Sequence, residues 1–285
     1  MSEASVVRKL RLLISSLKYK GARAKARALL YLWYFLRMTR DEQWLLDEKY
    51  KGLRNPYFEA DKKRLAEGEP LAYVIGWQPF LGLKIYLDSN PLIPRPETEW
   101  WTEQLLAHVG PPRSYMDTPV RFLDLCAGSG AIGCAALAKL PNAQVYFGEI
   151  DPALEATIRK NIRENNLDAT RADVRIGDLF EPFGDMKFDV IAANPPYVPD
   201  DRTLPPSVAD YEPALAFYAG KEGLDFIRHI ALSARCHLAE GGRAWIECDR
   251  AHAAAACALF QEQGLTAEIR NDQYGKPRVV LVSFP

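Results

Sequence analysis

The residues best suited to chemistry lie in one short stretch, the Asp-Leu-Cys-Ala-Gly-Ser-Gly of residues 124–130. The stretch closes a predicted strand and opens a predicted helix, where glycine lets the backbone turn sharply and approach a ligand closely. A helix N-terminus adds free N–H groups and partial positive charge. The spacing is not the G-x-G-x-x-G of dinucleotide sites, and an acid beside the loop suits a ligand with an amine and a sulfonium. We predict a ligand site formed by Asp124, Cys126, Ala127, Gly128, Ser129 and Gly130; a tight turn without ligand is the alternative.

Acids at the ends of the next two predicted strands extend this site. Glu149 lies 19 residues after Gly130, where an acid commonly binds ribose hydroxyls. Asp151 is a rival, but it precedes Pro152 and has the position of a helix N-cap. At the third strand end, Asp178 can accept a hydrogen bond from an adenine amino group while Leu179 contacts the ring, although Asp is also a common turn residue here. These residues predict a nucleoside-containing ligand.

The tetrapeptide Asn194-Pro195-Pro196-Tyr197 directly follows an apolar strand. Two prolines fix the backbone and prevent a helix from starting. The fixed carbonyls and the Asn194 side chain can accept hydrogen bonds from a planar –NH₂ group, and Tyr197 can stack on a flat substrate. Because ligands bind at the carboxyl edge of α/β sheets, this position favours an acceptor site over a plain Pro-Pro turn.

Alternating strands and helices must position these residues. From residue 120 onward we predict strands at 120–125, 145–149, 171–176, 188–193, 243–247, 265–269 and 278–284, and helices at 131–140, 152–165, 222–238 and 251–263. Such alternation predicts an α/β fold with a doubly wound, mostly parallel seven-stranded sheet.

The chain before this region has a different character. Apolar residues at helical spacing predict helices within 10–17, 29–36 and 59–67. Short apolar stretches at 73–75 and 83–87 predict a pair of strands, and a proline-rich segment, a helix at 97–108 and a loop at 110–114 follow. We therefore expect a helical domain at 1–70, a β-hairpin linker at 71–95 and an α/β domain at 96–285.

Composition limits the class of protein. The 285 residues are 48% hydrophobic and 26% charged, which argues against long disorder. The longest apolar run, at 28–36, is far shorter than the roughly 20 residues that span a bilayer, and no signal-peptide cleavage site follows it. The five cysteines form no C-x-x-C pair and the four histidines are scattered, so we predict a cytoplasmic protein with reduced thiols and no metal site.

The net charge of −1 conceals an asymmetry. Residues 1–40 contain ten Lys or Arg and one acid, a net charge of +9, which leaves −10 for residues 41–285. A basic segment of this kind can contact ribosomal RNA or an acidic protein. The alternative, which we favour, is an ordinary solvated helix face.

Taken together, these residues resemble the class I methyltransferases that use S-adenosyl-L-methionine. The N-P-P-Y tetrapeptide resembles the subset that methylates amino groups on planar systems. Further stretches resemble the release-factor glutamine N5-methyltransferase family (HemK/PrmC type), over about residues 60–285. They are GEPLAYVIG at 68–76, LIPRPETE at 92–99, YEPAL at 211–215, GLD at 223–225 and GKPRVV at 275–280.

The resemblance implies a substrate and a distribution of roles. The substrate is the glutamine of the Gly-Gly-Gln motif of peptide chain release factors, recognised by the helical domain, with any ribosome contact indirect and the enzyme a monomer. The cofactor's methionine end lies on 126–130, its ribose on Glu149 and its adenine near Asp178 and Leu179. Asn194 faces both cofactor and glutamine, and Asn194–Tyr197 hold the amide. The resemblance implies that Asn194, Pro195 and Tyr197 act in catalysis, and it assigns Arg95, Glu97 and Tyr211 to the site without individual roles.

Two residues depart from the family pattern, which usually has glycine at Cys126 and aspartate at Glu149. A small thiol fits the loop if its φ is negative, and glutamate keeps the acid. The main rival function is an amino methyltransferase acting on adenine N6 or guanine N2 of nucleic acid, which normally needs a basic groove. A non-catalytic cofactor-binding module is a second rival, supported by Cys126 alone, and a dehydrogenase is disfavoured because G-x-G-x-x-G is absent.

Overall fold

The computed structural model describes residues 38–109 and 119–285. The helices predicted within 10–17 and 29–36 and the loop predicted at 110–114 lie outside the described residues. The chain divides into two compact units between Glu67 and Gly68.

Within its described residues, 38–67, the first unit contains two helices, α1 (Arg40–Glu48) and α2 (Pro56–Ala66). A capping box starts α1, because the Thr39 side chain accepts from the Glu42 backbone N–H while the Glu42 carboxylate accepts from the Thr39 N–H. The Asn55 side chain caps α2. The helix predicted at 59–67 is thus confirmed, with an earlier start.

The second unit begins with a helix where a strand was predicted. Residues Leu71–Ile75 form the short helix α3, so the prediction of a strand at 73–75 is wrong. Pro70 precedes this helix and Gly76, with φ of 97°, ends it in a left-handed conformation. A short apolar run has too few residues for its periodicity to separate helix from strand. The hairpin itself follows, with β1 (Trp77–Phe80) antiparallel to β2 (Leu83–Tyr86).

After helix α4 (Pro96–Val109), strands and helices alternate as predicted. The elements are β3 (Val120–Leu125), α5 (Ala131–Lys139), β4 (Ala143–Glu149), α6 (Glu155–Glu164), β5 (Ala172–Ile176), β6 (Phe188–Ala193), α7 (Pro206–Ala209), α8 (Asp225–His237), β7 (Leu238–Glu247), α9 (Ala253–Glu262), β8 (Thr266–Asn271) and β9 (Pro277–Ser283).

Seven strands form one sheet in the order β5-β4-β3-β6-β7-β9-β8. The first five are parallel, and β9 runs antiparallel to both β7 and β8. The predicted mostly parallel, seven-stranded sheet is confirmed. The strand order reverses at β3, which pairs with β4 on one side and β6 on the other, and ligands bind at such a reversal. The loop after β3 and the tetrapeptide after β6 therefore lie side by side.

Both faces of the sheet are buried. Phe122, Val145 and Phe147 belong to the apolar cluster on one face, and Leu123 and Leu125 belong to the cluster on the other. Helices cover a parallel sheet on both faces because the crossover connections place them there. Among the helices that the structure describes, none is long and apolar enough to cross a membrane.

Two asparagines of α6 hold the hairpin to the sheet domain. The Asn161 side chain accepts from the Tyr86 N–H at 2.7 Å and donates to the Tyr86 carbonyl at 3.0 Å. Asn165 does the same for the N–H and carbonyl of Lys84, both at 2.9 Å. Asn161 also donates to the carbonyl of Ser129 at 2.8 Å. Side-chain amides thus pair the backbone of β2 and fix the loop after β3.

Candidate active site

A cleft opens at the carboxyl ends of β3, β4, β5 and β6. Residues from all four strand ends line it, as do parts of the segment before α4 and the loop after β6. The cleft collects most of the predicted site residues, namely Cys126, Ala127, Gly128, Ser129, Glu149, Asp178, Leu179, Asn194 and Pro196. The remaining ones, Asp124, Gly130, Pro195 and Tyr197, do not line it.

Asp124 lies beneath the glycine loop and is fully buried. Its Oδ2 accepts from the Gly133 N–H at 2.8 Å, and its Oδ1 has no hydrogen-bond partner among the described residues. Burial raises the pKa of this carboxyl well above its usual value, and the nearby Glu149 carboxylate acts in the same direction. Asp124 therefore fixes the start of α5 rather than presenting a charge in the cleft.

Cys126 has a φ of 59°, so the condition of a negative φ is not met. The left-handed conformation costs a residue with a Cβ about 1–2 kcal/mol. Burial raises the pKa of the thiol, which keeps it neutral. The side chain is a small packing group in a backbone conformation that suits glycine.

Glu149 joins the end of β4 to the glycine loop. Its Oε2 accepts from the Gly128 N–H at 2.7 Å and its Oε1 from the Asp151 N–H at 2.9 Å. Burial raises its pKa, while these backbone hydrogen bonds oppose the shift. Each oxygen keeps lone pairs for hydroxyl groups of a ligand. Asp151 accepts from the Ala153 N–H, which confirms its predicted capping role.

The cleft fits a nucleoside ligand with a charged tail. A Cβ added at Gly128, where φ is 54°, would meet no neighbouring atom within 4 Å, so the space above the loop is open. Asp178 is exposed at the end of β5, with Leu179 beside it in the cleft wall. The arrangement offers an acid for hydroxyls at Glu149 and an acid beside an apolar side chain for a flat base.

A buried hydrogen-bond network lies behind Asn194. The Asn194 Nδ2 donates to Thr98 Oγ1 at 3.3 Å, and Thr98 Oγ1 donates to Glu247 Oε2 at 2.7 Å. The same Oε2 accepts from Trp101 Nε1 at 2.6 Å, and Oε1 accepts from the Tyr197 hydroxyl at 3.0 Å. Glu247 is 1% exposed, and burial raises its pKa. Burial also raises the pKa of Tyr197, so that hydroxyl stays protonated.

Sequence reasoning missed Thr98 and Glu247. They lie 149 positions apart and carry no local motif that links them. The run 92–99 was recognised as a family stretch, yet nothing in it indicates that Thr98 faces a strand so distant in the chain. The strand order, which places the end of β7 beside the end of β6, is needed to predict that Glu247 lies near Asn194.

A salt bridge fixes one wall of the cleft. Arg95 Nη2 lies 2.6 Å from Glu212 Oε1, and Glu212 Oε2 accepts from the Ile93 N–H at 3.0 Å. The segment before α4 is thereby tied to the loop that contains Tyr211. Arg95 thus holds the segment before α4 to this loop through its salt bridge with Glu212. Glu97 and Tyr211 do not line the cleft.

Comparison with known proteins identifies relatives over most of the chain. The family described as Methyltransferase small domain matches residues 102–208. A release factor glutamine methyltransferase from Geobacter sulfurreducens is 37% identical over 203 residues, which cover 70% of this chain and 68% of that protein. One from Lactococcus lactis subsp. lactis is 33% identical over 262 residues, covering 88% and 92% respectively.

The fold also has solved counterparts. The crystal structure of a methyltransferase from Pyrococcus furiosus superimposes with a TM-score of 0.50 and covers 79% of this chain and 97% of its own. Its sequence identity is 17%, so the likeness concerns the fold.

Proposed function

We propose a reaction for this chain from the premise that it belongs to the release factor glutamine methyltransferase family. It is an S-adenosylmethionine-dependent enzyme that transfers a methyl group to the side-chain amide of a glutamine in a peptide chain release factor. The match over 92% of the Lactococcus relative carries this conclusion, because it includes the cleft and the segments that brace it. The rival nucleic-acid methyltransferase would share the glycine loop and the tetrapeptide, but not the further family stretches at 68–76, 92–99, 211–215, 223–225 and 275–280.

The cleft residues have separate roles toward the cofactor in this proposal. The loop 126–130 holds the methionine end, Glu149 accepts from the ribose hydroxyls, and Asp178 and Leu179 contact the adenine. The bound cofactor supplies a methyl group on a positively charged sulfur, an intrinsically reactive donor. Asp124 acts from below, since it holds the start of α5 through the Gly133 N–H.

Asn194 and Pro195 orient the glutamine amide. An amide nitrogen is a poor nucleophile because its lone pair is delocalised. When the Asn194 side-chain oxygen and the Pro195 carbonyl accept both amide hydrogens, the nitrogen faces the methyl donor and positive charge that develops on it is stabilised. As the nitrogen–methyl bond would form, the sulfur–methyl bond would break to leave a neutral thioether, and the methylated nitrogen would release one proton to water. Pro196 keeps the backbone rigid, and Tyr197 supports the tetrapeptide through its hydrogen bond to Glu247.

The wider biological setting is part of the same proposal. The acceptor is the glutamine of the Gly-Gly-Gln motif, and residues 1–70 recognise the release factor, with residues 71–95 linking them to the catalytic residues 96–285. The enzyme works as a monomer in the cytoplasm and meets the ribosome only through its substrate. Five cysteines without a disulfide are in keeping with that compartment.

A methyl-transfer assay tests the proposal directly. Purified protein is incubated with labelled S-adenosylmethionine and a release factor, beside a factor whose Gly-Gly-Gln glutamine is replaced. We expect label on the native factor only. Label on RNA instead, or cofactor binding with no acceptor at all, would favour the nucleic-acid methyltransferase or the binding module.

The substitution Asn194→Ala tests the residue assigned to the amide. We expect transfer to fall by about 10²–10³-fold, the usual cost of removing one oriented hydrogen-bonding group at a reacting centre. Cofactor affinity, measured by calorimetry, should change by less than about threefold, since the loop 126–130 and Glu149 are untouched. Near-normal turnover in this variant would refute the assignment.

A further inference from the structure

Thr98 lies between the Asn194 side chain and the buried Glu247 carboxylate. It is in the first turn of α4 and is 4% exposed. Its hydroxyl oxygen is 3.3 Å from Asn194 Nδ2 and 2.7 Å from Glu247 Oε2. A threonine hydroxyl has one proton to donate, so the direction of each hydrogen bond matters.

Trp101 settles that direction. An indole N–H can only donate, and Trp101 Nε1 lies 2.6 Å from Glu247 Oε2, so this oxygen is an acceptor. The Thr98 hydroxyl therefore donates its hydrogen bond to Glu247 and accepts one from Asn194 through an oxygen lone pair. This lone pair can accept a hydrogen bond only from the NH₂ group of the asparagine amide. The opposite end, Oδ1, is left as the acceptor that Asn194 presents to the cleft.

The assignment holds for an ionised Glu247, which has no proton to donate, and for a Glu247 that is protonated at Oε1. Burial raises the pKa of this carboxyl. The carboxyl faces three donors, Trp101 and Thr98 at Oε2 and Tyr197 at Oε1, and the charge of Arg278 acts against the effect of burial, so the geometry favours the ionised form. Oε2 then remains an acceptor, and the orientation of Thr98 is unchanged.

We propose that Thr98, held by Glu247 and Trp101, is a positioning residue that fixes the Asn194 amide with its oxygen toward the substrate. This inference rests on the proposed function for its consequence, since a flipped amide would present N–H groups to the N–H groups of the glutamine. Two donors facing each other cannot pair, so the flipped form does not hold the acceptor nitrogen. Asparagine has two amide orientations of nearly equal shape, and only its partners choose between them.

A packing role for Thr98 makes a different prediction. If the side chain only fills space, valine, which has the same shape, replaces it better than serine. If the hydroxyl orients Asn194, serine replaces it better than valine. The order of the two variants in kcat therefore separates the roles.

The test compares Thr98→Val and Thr98→Ser with the same changes at Thr102. Thr102 is one turn further along α4, is fully buried, and its hydroxyl has no hydrogen-bond partner among the described residues. We expect Thr98→Val to lower kcat at least about tenfold with cofactor affinity unchanged, and Thr98→Ser to stay within about threefold of the unmodified enzyme. Both Thr102 variants should keep the unmodified kcat. Equal kcat for Thr98→Val and Thr98→Ser, or a higher kcat for Thr98→Val, would overturn the proposal.

A second measurement needs no turnover. The side-chain ¹H–¹⁵N signals of Asn194, assigned by their loss in Asn194→Ala, report on the Nδ2 hydrogen bond. We expect Thr98→Val to shift these signals and Thr98→Ser to leave them close to their original positions; signals unmoved by Thr98→Val would overturn the orientation. If the unmodified protein methylates no release factor, the proposed function fails while these signals still decide the role of Thr98.

Discussion

Cys126 combines a Cβ with a backbone conformation that favours glycine, since its φ is 59°. We expect Cys126→Gly to be more stable than Cys126→Ala by about 1 kcal/mol, because alanine retains the Cβ and its strain. Both variants lose the thiol, so their difference isolates the backbone contribution. Urea denaturation of the two proteins measures it. An alanine variant as stable as the glycine variant would mean that the loop relaxes without cost.

The buried carboxyl of Asp124 gives the fold a characteristic pH dependence. Its pKa is raised in the folded protein, so folding favours the protonated form. The contribution of Asp124 to stability is fully present below the pKa of the unfolded chain, about 3.8, and is lost as pH rises through the folded pKa. Asp124→Asn removes this titration.

We therefore expect the free energy of unfolding of Asp124→Asn to fall less steeply than that of the unmodified protein as pH rises above about 4. Denaturant unfolding at several pH values gives both curves. Glu247, whose pKa is also raised, remains in both proteins and cancels in the comparison. Parallel curves would show that Asp124 does not titrate in this range.

At this scale the sequence predicts which residues line the cleft better than it predicts what each of them does. Glu149 and Asn194 line the cleft as expected, because their positions follow from strand ends. Asp124 sits below the loop instead, since a side chain at the end of a buried strand points to one face or the other and the motif does not say which. Thr98 and Glu247 could not be found at all, as their contact depends on how α4 packs against the end of β7.

At the scale of elements, α6 connects the hairpin to the loop after β3 through Asn161. This residue is fully buried and satisfies both backbone groups of Tyr86 as well as the Ser129 carbonyl. We expect Asn161→Ala to lower the free energy of unfolding by about 1–3 kcal/mol, because it leaves buried polar groups unpaired. Cofactor affinity should fall about tenfold, since the Ser129 carbonyl loses its anchor.

Asn165→Ala is the matched control on the same helix. It removes the equivalent contacts to Lys84 but has none to Ser129. Its stability should fall as well, while cofactor affinity, measured by calorimetry, should stay within about twofold of the unmodified protein. Equal loss of affinity in both variants would show that the hairpin as a whole, rather than the Ser129 contact, supports the loop.

Elements are predictable from this sequence where their pattern is long. The strands at 120–125 and 188–193 have the bounds predicted, because buried parallel strands read as continuous apolar runs between turn residues. The three residues 73–75 were too few to decide, and the cap at Gly76 determined the helix. The asparagine contacts of α6 are tertiary, and no local pattern predicts them.

At the scale of the whole molecule, charge is divided along the chain, with +9 in residues 1–40 and −10 in the remainder. If the basic segment meets the release factor, replacing Arg8, Lys9 and Arg11 with glutamine raises KM for the factor and reduces its salt dependence, while kcat is unchanged. Initial rates at several ionic strengths measure this.

The control replaces three exposed basic residues of the second unit, Lys139, Arg163 and Lys187, with glutamine. An equal rise in KM would assign the effect to net charge alone. No change in KM for either triple variant would support the solvated helix face that we favoured from the sequence.

The position of β9 in the sheet has a consequence for how this protein is made. Strand β9 is the last strand in chain order, yet it pairs with β7 on one side and β8 on the other. During synthesis the parallel strands β3 to β6 can pair in the order in which they emerge, whereas β8 has no neighbour until residues 277–283 are translated. In a nascent chain stopped before that point, the edges of β7 and β8 that β9 would cover stay open, and open strand edges promote aggregation. Completion of this sheet therefore waits for the translation of residues 277–283.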